Sequence, residues 1–180
     1  MLGWLRRVFV GAKPAAVEEP EAAVKARSPE PADREAAAGL LAPIPELWAG
    51  ERLLKLLQDP YTTVRAAARE ALLRRGVLAA PELLTGLNHA DVEVARVSAE
   101  LLGELRAVEV VRPLVVALKY APRPVQVAAR KALARLGPLA VPELEAARDD
   151  PQHWVRQQVA EVLAEIAGPP HSDRTPSPAA

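Results

Sequence analysis

DPYTTVRAAAREALLRRG, running from Asp59 to Gly76, decides the fold because the chain repeats it. With Val64 as the reference position, Val94, Val125 and Val155 follow at spacings of 30, 31 and 30 residues. Four places on stand Ala68, Ser98, Ala129 and Val159, all small or β-branched; eight places on stand Leu72, Leu102, Leu133 and Leu163. Eleven places before each valine the chain again has leucine, at Leu53, Leu83, Leu114 and Leu144. A unit repeated at a fixed period near 30 residues cannot hide its apolar face alone, so it stacks on its neighbours. Downstream of each valine the apolar residues follow offsets 0, 3 or 4, 7, 8 and 11, which is one stripe of a helix and not a strand alternation. The spacing predicts an all-α fold: an α-solenoid of about four antiparallel helix pairs.

Working outward, the array spans 43–168, with repeats at 44–76, 77–107, 108–137 and 138–168. Proline opens the first helix of each pair at Pro45, Pro81, Pro113 and Pro142, where the amide it lacks would have no helical partner. Asp59-Pro60 and Asp150-Pro151 read as a helix cap followed by a first-turn proline. Asp91 takes the capping role in the second repeat, while the third has Pro122 and Pro124 with no acidic cap. Gly76, Gly137 and Gly168 close their helices where a left-handed residue is wanted, and Arg106 stands in for glycine in the second repeat.

The first copy and the last, DPQHWVRQQVAEVLAEIAG, resemble HEAT-like repeats of the short kind also found in phycobilisome-lyase proteins, with the pattern D-P-x-x-x-V-R-x-x-A-x-x-A-L ahead of a glycine. The second copy departs from it at Ala95 and the third at Gln126, where arginine stands in the other two. The resemblance implies an α-solenoid whose second helices line one surface. It implies protein binding more often than catalysis and carries over no active site. The function expected is a non-enzymatic scaffold or adaptor. The alternative by family analogy is a lyase-like or chaperone-like helper acting on a cofactor-bearing client.

Composition narrows the chemistry. Half of the 180 residues are apolar but only 3% are aromatic, so alanine, leucine and valine do the burying. The absence of cysteine excludes disulfides, thiol nucleophiles and cysteine metal sites. His89, His153 and His171 lack the spacing of a metal set, and no phosphate loop, nucleophile elbow or carboxylate pair is present, so no catalytic residue, metal or cofactor is expected. No apolar run is long enough to span a bilayer and the start makes a poor secretory signal, so a cytoplasmic location is expected. Net charge is zero but unevenly shared: counting Lys and Arg against Asp and Glu, the four repeats carry +2, −3, +5 and −4. Acidic repeats interrupt any basic track, which argues against nucleic acid. The alternation either favours correct neighbour stacking or presents stripes to a partner.

Two groups of residues are candidates for partners. Tyr61, His89, Tyr120, His153 and Trp154 all fall within five residues before a reference valine, so stacking would align them along one side as a binding row. The competing reading has Trp154 under its own loop and the tyrosines over helix starts. The second group lies in residues 1–10, where helical spacing puts Trp4, Leu5 and Phe9 on one arc opposite Arg6 and Arg7. That pattern suits peripheral contact with an anionic membrane, at the inner face of the cell membrane, or docking on a partner or on the first repeat near Trp48. Residues 11–42, rich in Ala, Glu and Pro, read as a flexible linker with a turn or two of helix near Asp33 to Leu41; residues 169–180 read as a disordered tail.

Overall fold

The computed structural model describes residues 20–168, and every regular element among them is helical. Four helix pairs carry the repeats: α3 (Leu47–Leu56) with α4 (Thr62–Arg75), α5 (Ala80–Leu87) with α6 (Val92–Glu104), α7 (Val111–Tyr120) with α8 (Arg123–Leu136), and α9 (Val141–Ala146) with α10 (His153–Ala167). Short 3₁₀ turns at Gly76–Ala79, Val108–Val110 and Gly137–Ala140 join one pair to the next. The second helices stack in order, α4 on α6, α6 on α8, α8 on α10, while α3 packs on α5 and α7 on α9. The result is an α-solenoid.

The repeated positions are its core. Val64, Val125 and Val155 are fully enclosed, as are Leu53, Leu83, Leu114 and Leu144. Leu72, Leu102 and Leu133 are equally enclosed, but their counterpart Leu163 is half-buried, because no described element covers the outer side of α10. One position breaks the apolar stripe. Arg75 stands at offset 11, where the other copies have Leu105, Leu136 and Ile166, and it is buried all the same. It does not belong to any surface basic track.

The array begins earlier than residue 43. The expected linker over 11–42 contains two packed helices, α1 (Glu21–Lys25) and α2 (Pro31–Leu41), with Ala22, Ala23, Ala37, Ala38 and Leu41 buried and α2 lying on α4. Composition misled here because it weighs large apolar side chains, whereas Ala22, Ala23, Ala37 and Ala38 bury little area each but allow close helix approach. Pro31 opens α2 at its first turn, and Asp33 in the same turn accepts a bond from the Ser28 hydroxyl at 2.7 Å. Two arginines fasten the pair. Arg34 reaches Asp59 at 2.6 Å, and Arg75 Nη1 donates to the carbonyls of Leu41 (3.3 Å) and Ile44 at the end of α2. Residues 1–10 and 169–180 lie outside the described residues.

The helix starts also differ from expectation in an instructive way. Asp59 and Asp150 do not cap α4 and α10, whose N-caps are Tyr61 and Gln152. Each aspartate instead accepts the amide two residues on, from Tyr61 or Gln152, at 3.0 Å in both copies, the geometry of an Asx turn. The arginine of the Val-Arg pair then closes the turn. Arg65 Nη1 donates to the carbonyls of Asp59 (2.7 Å) and Pro60 (3.0 Å), and Arg156 repeats this on Asp150 and Pro151 at the same distances. Asp91 does cap α6, accepting from the amides of Glu93 and Val94. Pro45 precedes α3 and Pro113 sits two residues inside α7, while Pro81 and Pro142 are first-turn residues.

At the helix ends Arg106 takes φ 51°, as its place in the repeat predicts. Gly76 and Gly137 have positive φ but ψ of −133° and −129°, close to the first central residue of a type II′ turn and not the left-handed helical region. That conformation turns the chain into the 3₁₀ link instead of merely ending the helix.

Candidate protein-binding surface

The turns within helix pairs fall along one edge of the solenoid. The Asp59-Pro60 turn and His89 line one groove of about 550 Å³, and His89, Ala90 and Tyr120 to Pro122 line the next, of about 250 Å³. His89 occupies the place of Asp59 in its own repeat and does the same work, its Nδ1 accepting the Asp91 amide at 3.0 Å. Tyr120 holds that place in the third repeat and projects outward, 68% exposed. Tyr61, 52% exposed, turns from His89 towards α2, where the Arg34 guanidinium lies 5.6 Å from its ring centre. Lys119 stands 5.5 Å from the Tyr120 ring. His153 is exposed at the first position of α10. Trp154 is not with the tyrosines. It lies between α8 and α10, beside Arg123, Val127 and Arg130.

Ion pairs stitch this edge from one repeat to the next. Arg34 pairs with Asp59 and, three repeats on, Lys119 pairs with Asp150, the aspartates being nearly buried in both cases. The hydrogen bond from Arg34, helped by the Tyr61 amide, holds the Asp59 carboxyl below the usual carboxylate range. Lys119 and the Gln152 amide do the same for Asp150, and the ammonium of Lys119 is raised in turn. Sequence reasoning missed Arg34 and Lys119 because neither belongs to the repeated motif; each is supplied by the neighbour before it.

Elsewhere the same rule holds between second helices. Arg69 of the first repeat reaches Glu100 of the second at 3.5 Å, Glu104 meets Arg135 of the third at 2.5 Å, and Arg130 meets Glu165 of the fourth at 3.5 Å. The alternating repeat charges are therefore used in stacking. Among the described residues no cluster of His, Asp and Glu side chains could hold a metal ion, and no helix is long and apolar enough to cross a membrane. Trp4, Leu5, Arg6, Arg7 and Phe9, the expected membrane or partner contacts, lie outside the described residues, as does His171.

Residues 80–164 match the family model described as HEAT repeats. No curated protein matches the chain. Among solved structures, the complex of CpcE and CpcF of phycocyanin lyase from Nostoc sp. PCC7120 is similar, with 22% identity over 87% of this chain and 69% of that one and a TM-score of 0.48. Human deoxyhypusine hydroxylase in complex with glycerol is 27% identical over 66% of this chain, which spans 43% of the hydroxylase, with a TM-score of 0.49. A designed armadillo repeat protein in complex with the peptide (KR)4 shares 19% identity over 81% of this chain and 80% of its own, with a TM-score of 0.43. With its 30-residue period, its stacked helix pairs and the family match over 80–164, the chain is a HEAT-like repeat protein.

Proposed function

We propose that the solenoid is a non-enzymatic scaffold that binds a protein partner along the edge of its intra-pair turns, with Tyr120 and Tyr61 as the principal contacts and His89 and His153 beside them. The observation that carries this reading is the exposure of two tyrosines at 52% and 68% on a rigid, ion-paired edge. A tyrosine held out on a fixed backbone buries a large area on contact while losing few rotamers, which suits it to anchor an interface. The carboxylates with depressed pKa values support a scaffold over a catalyst, since Asp59 and Asp150 are each engaged by a cation and a turn amide.

Site-specific photo-crosslinking in cells tests the proposal. A benzophenone amino acid at position 120 or 61 should give a discrete protein adduct, while the same group at exposed Arg112 should not. Adducts confined to the Arg112 position would refute the turn edge as the binding surface.

A further inference from the structure

The groove between α8 and α10, about 290 Å³, is lined by Arg123, Val127, Arg130, Trp154, Gln157, Gln158 and Glu161. Three features of it are not demanded by the repeat. Trp154 and Val127 are each 37% exposed, at offsets where the other copies have Thr63, Glu93 and Pro124, or Ala66, Arg96 and Gln157. Arg123 opens α8, where the helix dipole disfavours a cation, and among the described residues it makes no hydrogen bond or ion pair. The third repeat is also the most basic, with Glu109 as its sole acid.

Three of the other polar groups are already engaged. Glu161 accepts from Gln157 at 3.1 Å, and Arg130 lies 3.5 Å from Glu165. What the groove leaves open is a largely polar wall in which Trp154 and Val127 form one small apolar patch, beside the free guanidinium of Arg123 and the glutamine amides. We infer that this groove binds an acidic peptide segment, a bulky apolar side chain packing on Trp154 and Val127 and a carboxylate pairing with Arg123. Its volume sits at the low end of the ~300–1,000 Å³ of small-ligand pockets, so it holds one side chain with its flanking backbone and not a whole cofactor. A nucleic-acid strand fits less well: Glu161 lines the same groove, Glu165 already pairs with Arg130, and a phosphate backbone needs a continuous basic track. This inference rests on the scaffold reading but uses a different face from the tyrosine edge.

The test uses the full chain and three labelled Gly/Ser peptides carrying Glu-Phe-Glu, Lys-Phe-Lys or Glu-Ser-Glu at the centre. The indole N–H resonance of Trp154, assigned by its loss in W154F, reports binding. The Glu-Phe-Glu peptide should move it saturably, and Glu-Ser-Glu should not. R123E should weaken that binding roughly tenfold and strengthen Lys-Phe-Lys binding, with an unchanged or raised melting temperature because Arg123 is exposed and unpaired. Equal response to the acidic and basic peptides, no response to any peptide, or saturation by oligothymidylate in their place would each overturn the inference. If the groove fails while crosslinks at Tyr120 persist, only the groove is rejected; if crosslinks fail while the peptide binds, only the tyrosine edge is.

Discussion

Arg75 shows how one residue can depart from a repeat and still be explained by it. Its guanidinium is enclosed, lies 3.1 Å from Glu82 and holds the end of α2, so the apolar offset is spent on attaching the N-terminal helices. The pair is imperfect, with Arg75 Nε and Glu82 Oε2 lacking partners. Replacing Arg75 by leucine, the residue of the second and third copies, leaves Glu82 buried and unpaired and should cost about 3–5 kcal/mol in chemical denaturation. Adding Glu82→Leu should recover most of that loss, since an apolar pair of similar volume avoids the buried charge. A double variant no more stable than R75L would show that the carbonyls of α2, not the charge, set the cost. Asp59 and Asp150 make the second argument at this scale. Both are held below their ordinary value of 3.8 when folded, so their pairs stabilise the fold above that value and the benefit disappears as pH falls through the lower, folded value. The denaturation midpoint should therefore drop on going from neutral pH to below about pH 4, and drop less in D59N/D150N. Parallel pH profiles for the two proteins would refute that assignment.

At the scale of the element, the second helices α6 and α8 approach one another closely at Gly103. A Cβ there would lie 2.7 Å from the Cα and Cβ of Ala132, so α6 and α8 meet backbone to backbone with no flexible side chain between them. G103A should cost about 1–3 kcal/mol through forced separation of the helices. At exposed Gly39 in α2 the nearest atom would be Arg74 Nη2 at 4.0 Å, and G39A should stabilise by about 0.5–1 kcal/mol, as alanine does in an open helix. Thermal melts of the two variants moving in the same direction would contradict this account. Gly103 also marks a limit of legibility. The reference valines and leucines repeat, so the helix pairs could be read from them; the contact at Gly103 joins offset 9 of one copy to offset 7 of the next, and offset 9 is Leu73, Ala134 and Ala164 elsewhere. Asp59 and Asp150 were legible as helix-start residues, but their role turns on a carboxylate choosing the amide two residues on, which residue identity alone does not decide.

The whole molecule is longer than its repeats, and its candidate surface was only half legible for the same reason. Tyr120 and His89 share a groove because stacking brings successive turns together, as their common offset predicts, whereas Trp154, one residue from its valine, already belongs to the helix and falls on the α8 side. The N-terminal pair α1–α2 escaped the period because it is not a copy. It nevertheless supplies Arg34 to Asp59 and receives Arg75, so it belongs to the stacked array. This shortens the connection that any membrane contact by residues 1–10 would use. Residues 11–19 remain, with a fully extended span of at most about 30 Å at ~3.3–3.6 Å per residue. A membrane-bound Trp4, Leu5 and Phe9 would thus keep the solenoid against the surface, and a peptide with so few apolar side chains binds weakly unless Arg6 and Arg7 meet anionic lipid. Two deletions separate the roles. Removing residues 1–43 takes Arg34 from Asp59 and the Leu41 carbonyl from Arg75 and uncovers α4, and should lower the melting temperature or cause aggregation. Removing residues 1–19 leaves every described contact in place, so melting should be unchanged while sedimentation with anionic vesicles, salt-sensitive in the full chain, is lost. If removing 1–19 lowers the melting temperature and leaves vesicle binding intact, residues 1–10 serve the fold and the membrane assignment is wrong.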